Sequence, residues 1–408
     1  MKPRIFIAIH YMHLGGVETS LIGMLQALDP QKVDVDLFVY SHEGEMMKLI
    51  PSYVNLLPEN PVWSMFEKPL KEVLKRGYWK MFLARMRAKF RMRQYVKRTN
   101  PKDGAAIHGY LGEEVSRILP SFHHYGEYDL AISFMNPHNF VLNHVTAKKR
   151  ICWIHQDYTR IDVNAELELP VWSAYDNVIS ISEDVTKTFL QVFPSLKGKI
   201  VEIENILSPK FVLEHSNMVL PKIIDTEMFS EGTCLKLLSI GRYSFQKKFE
   251  EIPAICRGIV EAGVNVKWYI IGYGGSDEYI RKEIETEGMQ DRVFLLGKKE
   301  NPYPYIKACD WYVQPSRYEG KSVVVREAQI LCKPVIVTNY PTAPSQIRHG
   351  VDGVIVPMDI PGCVEKMVET LKDEALKKNI VEYLEGHDYG NMGEVEKIYA
   401  LIGKSTTD

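Results

Sequence analysis

Short apolar runs, each suited to a β-strand, alternate with helix-like stretches along almost the whole 408-residue chain. This rhythm limits the possible fold more than any other feature. In the first half the runs are PRIFIAIH from Pro3, VDLFVY from Val35, YDLAISF from Tyr128, RICWIH from Arg150, NVISIS from Asn177 and IVEIEN from Ile200. In the second half they are LKLLSIG from Leu235, VKWYIIG from Val266, RVFLLG from Arg292, WYVQPS from Trp311, PVIVTN from Pro334 and GVIVP from Gly353. Between them lie stretches such as VETSLIGMLQAL, EDVTKTFLQVF and SDEYIRKEIETEG. Apolar strands separated by helices of ten or more residues form βαβ units, which build parallel sheets covered on both faces. The expected class is α/β, with doubly wound parallel sheets, and two such halves fit the length. The rhythm pauses between Asn205 and Gly232, which marks a domain junction. The expected domains are 1–207 and 208–380, with a helical segment, 381–408, packing back on the first.

Composition removes several classes. An apolar fraction of 45% excludes wholesale disorder. No window nears 18 uninterrupted apolar residues, which argues against a membrane-spanning helix. The N-terminal residues read as a first strand rather than a secretory signal. Six cysteines stand far apart without a CxxC pair, which speaks against a disulfide scaffold or zinc site and fits a reducing cytosol. His10 and His13 have no third ligand in view, so no metal site is expected.

The net charge of −2 hides a strong asymmetry. From Lys68 to Lys102 there are thirteen Lys or Arg and one acid, Glu72, so this stretch carries +12 and the remainder −14. Apolar residues including Trp79, Phe82, Met86 and Phe90 recur among the cations at three- or four-residue intervals, as on an amphipathic helix pair broken near Gly77. Basic faces carrying Trp and Phe suit an anionic membrane surface. The plainer alternative is a helix packed on its own domain. No nucleic-acid module accompanies the charge, so nucleic acid is not an expected partner.

The most specific motif is RYEGKSVVVREAQIL from Arg317, directly after the strand WYVQPS. In doubly wound sheets ligands bind at the carboxyl ends of strands. There a glycine-containing loop lets backbone N–H groups approach an anion at a helix N-terminus. Glu319 and Glu327 lie about two helical turns apart and could each accept hydrogen bonds from paired hydroxyls; a solvated loop with two surface glutamates is the bland reading. The strand LKLLSIG ends in Gly241, and Arg242 and Lys247 follow, where two fixed cations could neutralise a diphosphate without metal, or could simply be surface charges. GYGG from Gly272 is a further glycine-rich turn at a strand end.

The order GR–K, IIGYG, LLG, PSRYEG with a second Glu eight positions on, KPVIVT and HGVDGVIVP resembles the retaining glycosyltransferases of family 4 from about Leu235 to Pro357. The resemblance implies the GT-B architecture, two Rossmann-like domains facing a cleft. It implies that Glu319 binds donor-sugar hydroxyls and that the amides of Gly320, Lys321, Ser322 and Val323 hold the sugar and distal phosphate. Glu327 would hold the ribose, Arg242 and Lys247 the diphosphate, and Leu296, Gly297 and Lys298 the base. In the first domain it implies a phosphate-approaching loop at Gly15 and Gly16 and a sugar-orienting histidine at His155. Three departures stand out: Lys248 and Cys332 where glycine is usual, and Ser345 and Gln346 in place of a glycine-rich segment with a glutamate.

The implied activity is metal-independent, front-face retaining transfer of a hexose or N-acetylhexosamine from a nucleotide diphosphate sugar, UDP favoured. No cofactor is implied. The acceptor would be a glycan or polyprenyl-diphosphate-linked glycan of bacterial surface polysaccharide synthesis. The protein would be cytoplasmic and peripheral on the inner face of the plasma membrane. A GT-B nucleotide-sugar epimerase and a catalytically inactive membrane scaffold are the alternatives.

Overall fold

The computed structural model describes residues 2–13, 15–101, 103–159, 161–218, 226–229 and 232–403. Part of the expected junction, 219–225 and 230–231, and Lys102 at the end of the basic segment lie outside the described residues. The chain forms two compact units. The first comprises residues up to Ile206 and those from Asn391 onward; the second runs from Leu207 to Gly390.

The first unit holds seven parallel strands: β1 (Arg4–Ile9), β2 (Asp34–Val39), β3 (Asn55–Leu56), β4 (Tyr128–Ser133), β5 (Ala147–Ile154), β6 (Asn177–Ser180) and β7 (Ile200–Glu202). Their order is β3-β2-β1-β4-β5-β6-β7. The strands are apolar because helices cover both faces; β1, for example, buries every residue from Ile5 to Ile9. On one face Phe6, Phe38, Trp63 and Phe122 form an aromatic cluster, with Phe38 and Phe122 ring centroids 4.4 Å apart.

The second unit holds β8 (Leu235–Ile240), β9 (Val266–Ile271), β10 (Val293–Gly297), β11 (Trp311–Gln314), β12 (Val335–Thr338) and β13 (Val354–Val356), in the order β10-β9-β8-β11-β12-β13. The helix Ile252–Glu261 shows the packing rule in its simplest form. Ile252, Ile255, Cys256 and Ile259 recur at helical spacing and are fully buried against the sheet with Trp268 and Trp311.

All twelve strand candidates of the sequence are strands here; β3, two residues long, was not among them. The helix Glu374–Glu385 belongs to the second unit, and the chain enters the first again at Asn391. The basic segment forms two helices, Leu70–Lys75 and Trp79–Thr99, separated at Gly77, whose φ of 83° ends the first. The longer helix buries Met81, Ala84, Ala88 and Met92 against its own unit. Among the described residues no helix is long and apolar enough to cross a membrane. The six cysteines are free thiols, and no group of three or more potential metal ligands is present among the described residues.

Candidate active site

In the second sheet the chain proceeds outward from β8 in one direction to β9 and β10, and in the other to β11, β12 and β13. The topological switch therefore lies between β8 and β11, where a doubly wound sheet opens a crevice at its carboxyl edge. The loop after β8 carries Arg242 and Lys247, and the loop after β11 carries Glu319. The fold thus brings three of the residues singled out in the sequence to one place.

The two loops are joined by charge. Lys247 Nζ donates to Glu319 Oε1 at 2.7 Å, with the side chains only 16% and 8% exposed. Oε1 also accepts from the Ser316 hydroxyl and from Gln314 Nε2 at 3.3 Å, whereas Oε2 receives only a long contact, 3.5 Å, from Gln246 Nε2. Oε2 thus has the fewer hydrogen-bond partners among the described residues. Arg317 fastens the loops from behind: its guanidinium donates to Phe245 O and Glu250 Oε1, both at 2.6 Å, and to Glu251 Oε1 at 2.7 Å. Arg242 is exposed and pairs with no carboxylate among the described residues. The site therefore presents one tethered cation and one open cation, a combination that accommodates a doubly charged anion.

The GYGG turn serves a different approach from the one its glycines suggest. A Cβ on Gly272, whose φ is 155°, would overlap the Gly241 carbonyl oxygen. The glycine is required so that the β9 loop can close on the β8 loop, backbone against backbone. Gly272 N donates to Gly297 O at 3.0 Å, which joins the β10 turn of Leu296, Gly297 and Lys298 to the same edge. There the Lys298 ammonium stands 5.1 Å from the centroid of the Tyr273 ring.

The helix Val323–Ile330 follows Glu319 as the βα rhythm requires. Its VVV start is a poor helix signal, but burial of Val325 and Ala328 overrides it. Of the four amides proposed for phosphate, that of Ser322 is engaged: it donates to Gln346 Oε1 at 3.0 Å, and Gln346 Nε2 returns a bond to Ser322 O at 2.7 Å. Glu327 is buried, 3% exposed, and accepts from the Tyr303 hydroxyl at 2.8 Å. Burial pushes its carboxyl up to about 7, the Tyr303 bond opposing this. Tyr303 and Gln346 were not expected to touch these groups. Each acts across 24 residues of chain, which no local spacing reports.

Two departures from glycine have a backbone cause. Lys248 has φ 60° and Cys332 φ 52°, the left-handed region that glycine enters without strain. Lys248 is 4% exposed and compensated: its ammonium bonds Met358 O and pairs with Glu251 Oε2 at 2.8 Å. Cys332, half-buried, has no comparable anchor. Cys332→Gly should therefore raise the stability of the second unit by about 1 kcal/mol, and Lys248→Gly should lower it. Chemical unfolding of the two variants measures both signs.

In the first unit Gly15 precedes the helix Gly16–Ala27 after β1. A Cβ on Gly15 would collide with the Glu18 carboxylate, which folds back over the first turn, so the chain's own anion already faces this helix start. His155 follows β5. Its Nε2 lies 2.9 Å from Phe134 O, so Nε2 carries the hydrogen and Nδ1 offers a lone pair. Desolvation pushes the imidazole down to about 4, partly offset by the Phe134 bond. His155 is neutral at neutral pH and unsuited to donating a proton; its Nδ1 is buried without a partner among the described residues.

Residues 226–386 match the family described as glycosyl transferases group 1. The match is confined to that segment, which lies within the second unit. It contains every second-unit residue discussed above. The chain is 28% identical over 174 residues to an uncharacterized glycosyltransferase of Methanocaldococcus jannaschii, covering 42% of each protein. It is 26% identical over 199 residues to a Campylobacter jejuni N-acetylgalactosamine-N,N'-diacetylbacillosaminyl-diphospho-undecaprenol 4-alpha-N-acetylgalactosaminyltransferase, covering 46% of this chain and 52% of that one. It is 29% identical over 153 residues to the Staphylococcus aureus capsular polysaccharide biosynthesis glycosyltransferase CapM, covering 35% and 38%. The matches thus span about half or less of these relatives. Over the whole chain the fold resembles S. aureus TarM in complex with Fondaparinux, alpha-GlcNAc-glycerol and UDP, with a TM-score of 0.68, 14% identity and 98% of this chain and 100% of that one covered. It also resembles Anabaena HepE in complex with UDP and glucose, with a TM-score of 0.67, 13% identity and 98% of both chains covered. The architecture is that of GT-B glycosyltransferases: two α/β units, each built on a parallel sheet.

Proposed function

We propose that the protein is a retaining glycosyltransferase that moves a hexose or N-acetylhexosamine from a UDP-sugar to a glycan or lipid-linked acceptor in bacterial surface polysaccharide synthesis. The observation that carries this reading is the Lys247–Glu319 pair beside the open Arg242 at the switch point of a group 1 domain. Arg242 and Lys247 hold the diphosphate and stabilise the charge that develops on it as the glycosidic bond breaks. Glu319, through Oε2, and Glu327 accept from sugar and ribose hydroxyls. His155 orients a donor hydroxyl through Nδ1. The paired cations make a metal unnecessary for the leaving group. The UDP in the TarM and HepE complexes and the undecaprenol-linked substrate in the Campylobacter name support the donor and acceptor classes.

With the matching donor and a lipid-linked glycan, the protein should release UDP in the presence of EDTA, and the product should keep the anomeric configuration of the donor. Proton NMR of the product reads the configuration. An inverted product, or turnover that needs a divalent metal, would overturn the mechanism.

The helix Trp79–Thr99 is assigned to the anionic inner face of the plasma membrane. Trp79, Leu83, Met86 and Phe90 are 61%, 53%, 40% and 61% exposed. At 3.6 residues per turn they form one stripe, opposite the buried Met81, Ala84, Ala88 and Met92. Lys80 and Arg87 flank this stripe on one side and Lys89 and Arg93 on the other. A helix with one apolar face packed inward and a second turned outward between cations suits a lipid surface. Flotation with phosphatidylglycerol vesicles should show binding that weakens as salt rises, and Leu83→Ser with Phe90→Ser should reduce it at least ten-fold. Equal flotation of that double variant would refute the assignment.

A further inference from the structure

The Glu327 carboxyl has a single hydrogen-bond partner among the described residues, the Tyr303 hydroxyl, which donates to Oε1 at 2.8 Å. Both residues are buried. Oε2 accepts from nothing there, yet it is not one of the atoms sealed from solvent. A carboxylate oxygen can accept two hydrogen bonds. Oε1 therefore keeps capacity for one more hydroxyl, and Oε2 is uncommitted.

Tyr303 is itself held in place. Its amide donates to Asn301 Oδ1 at 3.2 Å, and Asn301 Nδ2 donates to His215 O at 2.8 Å. This ties the helix Tyr303–Ala308 to the helix Pro209–Ser216. From the second helix Phe211 meets the Tyr303 ring edge-on, with centroids 5.8 Å apart at 90°, and His215 stands 6.1 Å away. His215 is fixed in turn by its Nδ1, 2.8 Å from Phe211 O. A ring packed in this way keeps one orientation, and its hydroxyl stays aimed at Glu327.

No other group does the same work. Burial disfavours the charge on Glu327, and the Tyr303 bond is what opposes it. The remaining titratable neighbours bring no compensating cation. Tyr312 on β11 is a buried phenol that also senses Glu319. On the helix Pro209–Ser216, His215 lies against Tyr303, and Lys210 and Glu214 are exposed and pair with each other at 3.8 Å. Lys307, one turn beyond Tyr303, donates to Asn217 Oδ1 at 2.6 Å.

We propose that Tyr303 is a positioning residue for the nucleotide: its hydroxyl fixes the Glu327 carboxylate and favours the ionised form that accepts the ribose hydroxyls. The inference rests on the ribose role proposed for Glu327. A carboxylate accepts hydroxyls more strongly than a neutral acid does. Removing the phenol hydroxyl leaves the carboxyl harder to ionise, so the loss of nucleotide affinity should depend on pH. A packing defect would weaken binding equally at every pH.

The test is calorimetric titration of UDP into the wild type, Tyr303→Phe, Glu327→Gln and the double variant, from pH 6 to pH 9. Tyr303→Phe keeps the ring against Phe211 and removes only the hydroxyl. It should bind UDP about ten-fold more weakly at pH 7, the scale of one hydrogen bond to a charged group. The gap should narrow to within about two-fold at pH 9, where the carboxyl ionises in both proteins. The ratio of the two affinities cancels the ionisation of UDP itself. In the Glu327→Gln background, Tyr303→Phe should change affinity less than about two-fold, because the charge it serves is gone. Unchanged affinity in Tyr303→Phe, a gap constant across pH, or an equal loss in the Glu327→Gln background would overturn the proposal. If Glu327→Gln alone binds UDP as the wild type does, the ribose reading fails and the proposal with it. If Glu327→Gln weakens binding and Tyr303→Phe does not, only the role of Tyr303 fails.

Discussion

Replacing Lys247 by alanine is expected to lower turnover at least ten-fold, about 1.4 kcal/mol of barrier, and to destabilise the second unit by about 3 kcal/mol. The second effect comes from Glu319. Its largely buried carboxylate has Lys247 as its counter-charge at 2.7 Å. Without that ammonium it keeps the Ser316 hydroxyl and the Gln314 amide but no positive partner. The double variant Lys247→Met with Glu319→Gln separates stability from chemistry. With neither charge present, the burial penalty disappears, and stability should return to within about 1 kcal/mol of wild type. Turnover should remain low, because neither the cation proposed to hold the diphosphate nor the carboxylate proposed to bind the sugar is restored. Urea unfolding and steady-state turnover on the same preparations measure both. A double variant that regained activity would make the pair purely structural.

Glu327→Gln should stabilise the protein above neutral pH and weaken nucleotide binding. The folded carboxyl titrates at about 7 against an ordinary value of 4.5, because burial disfavours its charge. The folded state therefore holds this proton more tightly than the unfolded chain. The contribution of the group falls as pH rises from 4.5 to 7 and stays low beyond. At 1.36 kcal/mol per unit the loss amounts to about 3 kcal/mol. Glutamine keeps an oxygen for the Tyr303 hydroxyl and carries no charge to bury. The gain over wild type should thus be near zero at pH 4 and about 3 kcal/mol at pH 8. UDP affinity should drop at least ten-fold if, as proposed, this carboxylate accepts from ribose hydroxyls. Glu168, raised in the same way, contributes the same slope to both proteins and cancels in the difference. A variant with an unchanged pH profile would show that Glu327 is not desolvated in solution.

The strands were legible because a sheet covered on both faces demands continuous apolar runs, and twelve such runs can be read directly. The strand β3 was not, since its two residues, Asn55 and Leu56, carry no pattern. The helix Val323–Ile330 was legible only through the βα rhythm, against the preference of its valines. Glu319, Arg242 and Lys247 could be named from their places after strands. Their mutual contact depends on the strand order, which sets β8 beside β11 although their ends, Ile240 and Gln314, are 74 positions apart. Lys248 and Cys332 stood out in the sequence as missing glycines; the positive φ that explains them is a property of the folded backbone. Tyr303 gave no signal, and Gln346 stood out only as a departure from a glycine-rich segment; their bonds to Glu327 and Ser322 act through space across 24 residues of chain.

The most direct test of the central claim is calorimetric titration of UDP into the 408-residue chain and its Arg242→Ala variant, both in EDTA. The account predicts saturable one-to-one binding to the wild type without metal, and affinity at least ten-fold weaker in the variant, whose open cation at the switch point is gone. Absence of metal-free binding to the wild type, or equal affinity in the two proteins, would contradict it.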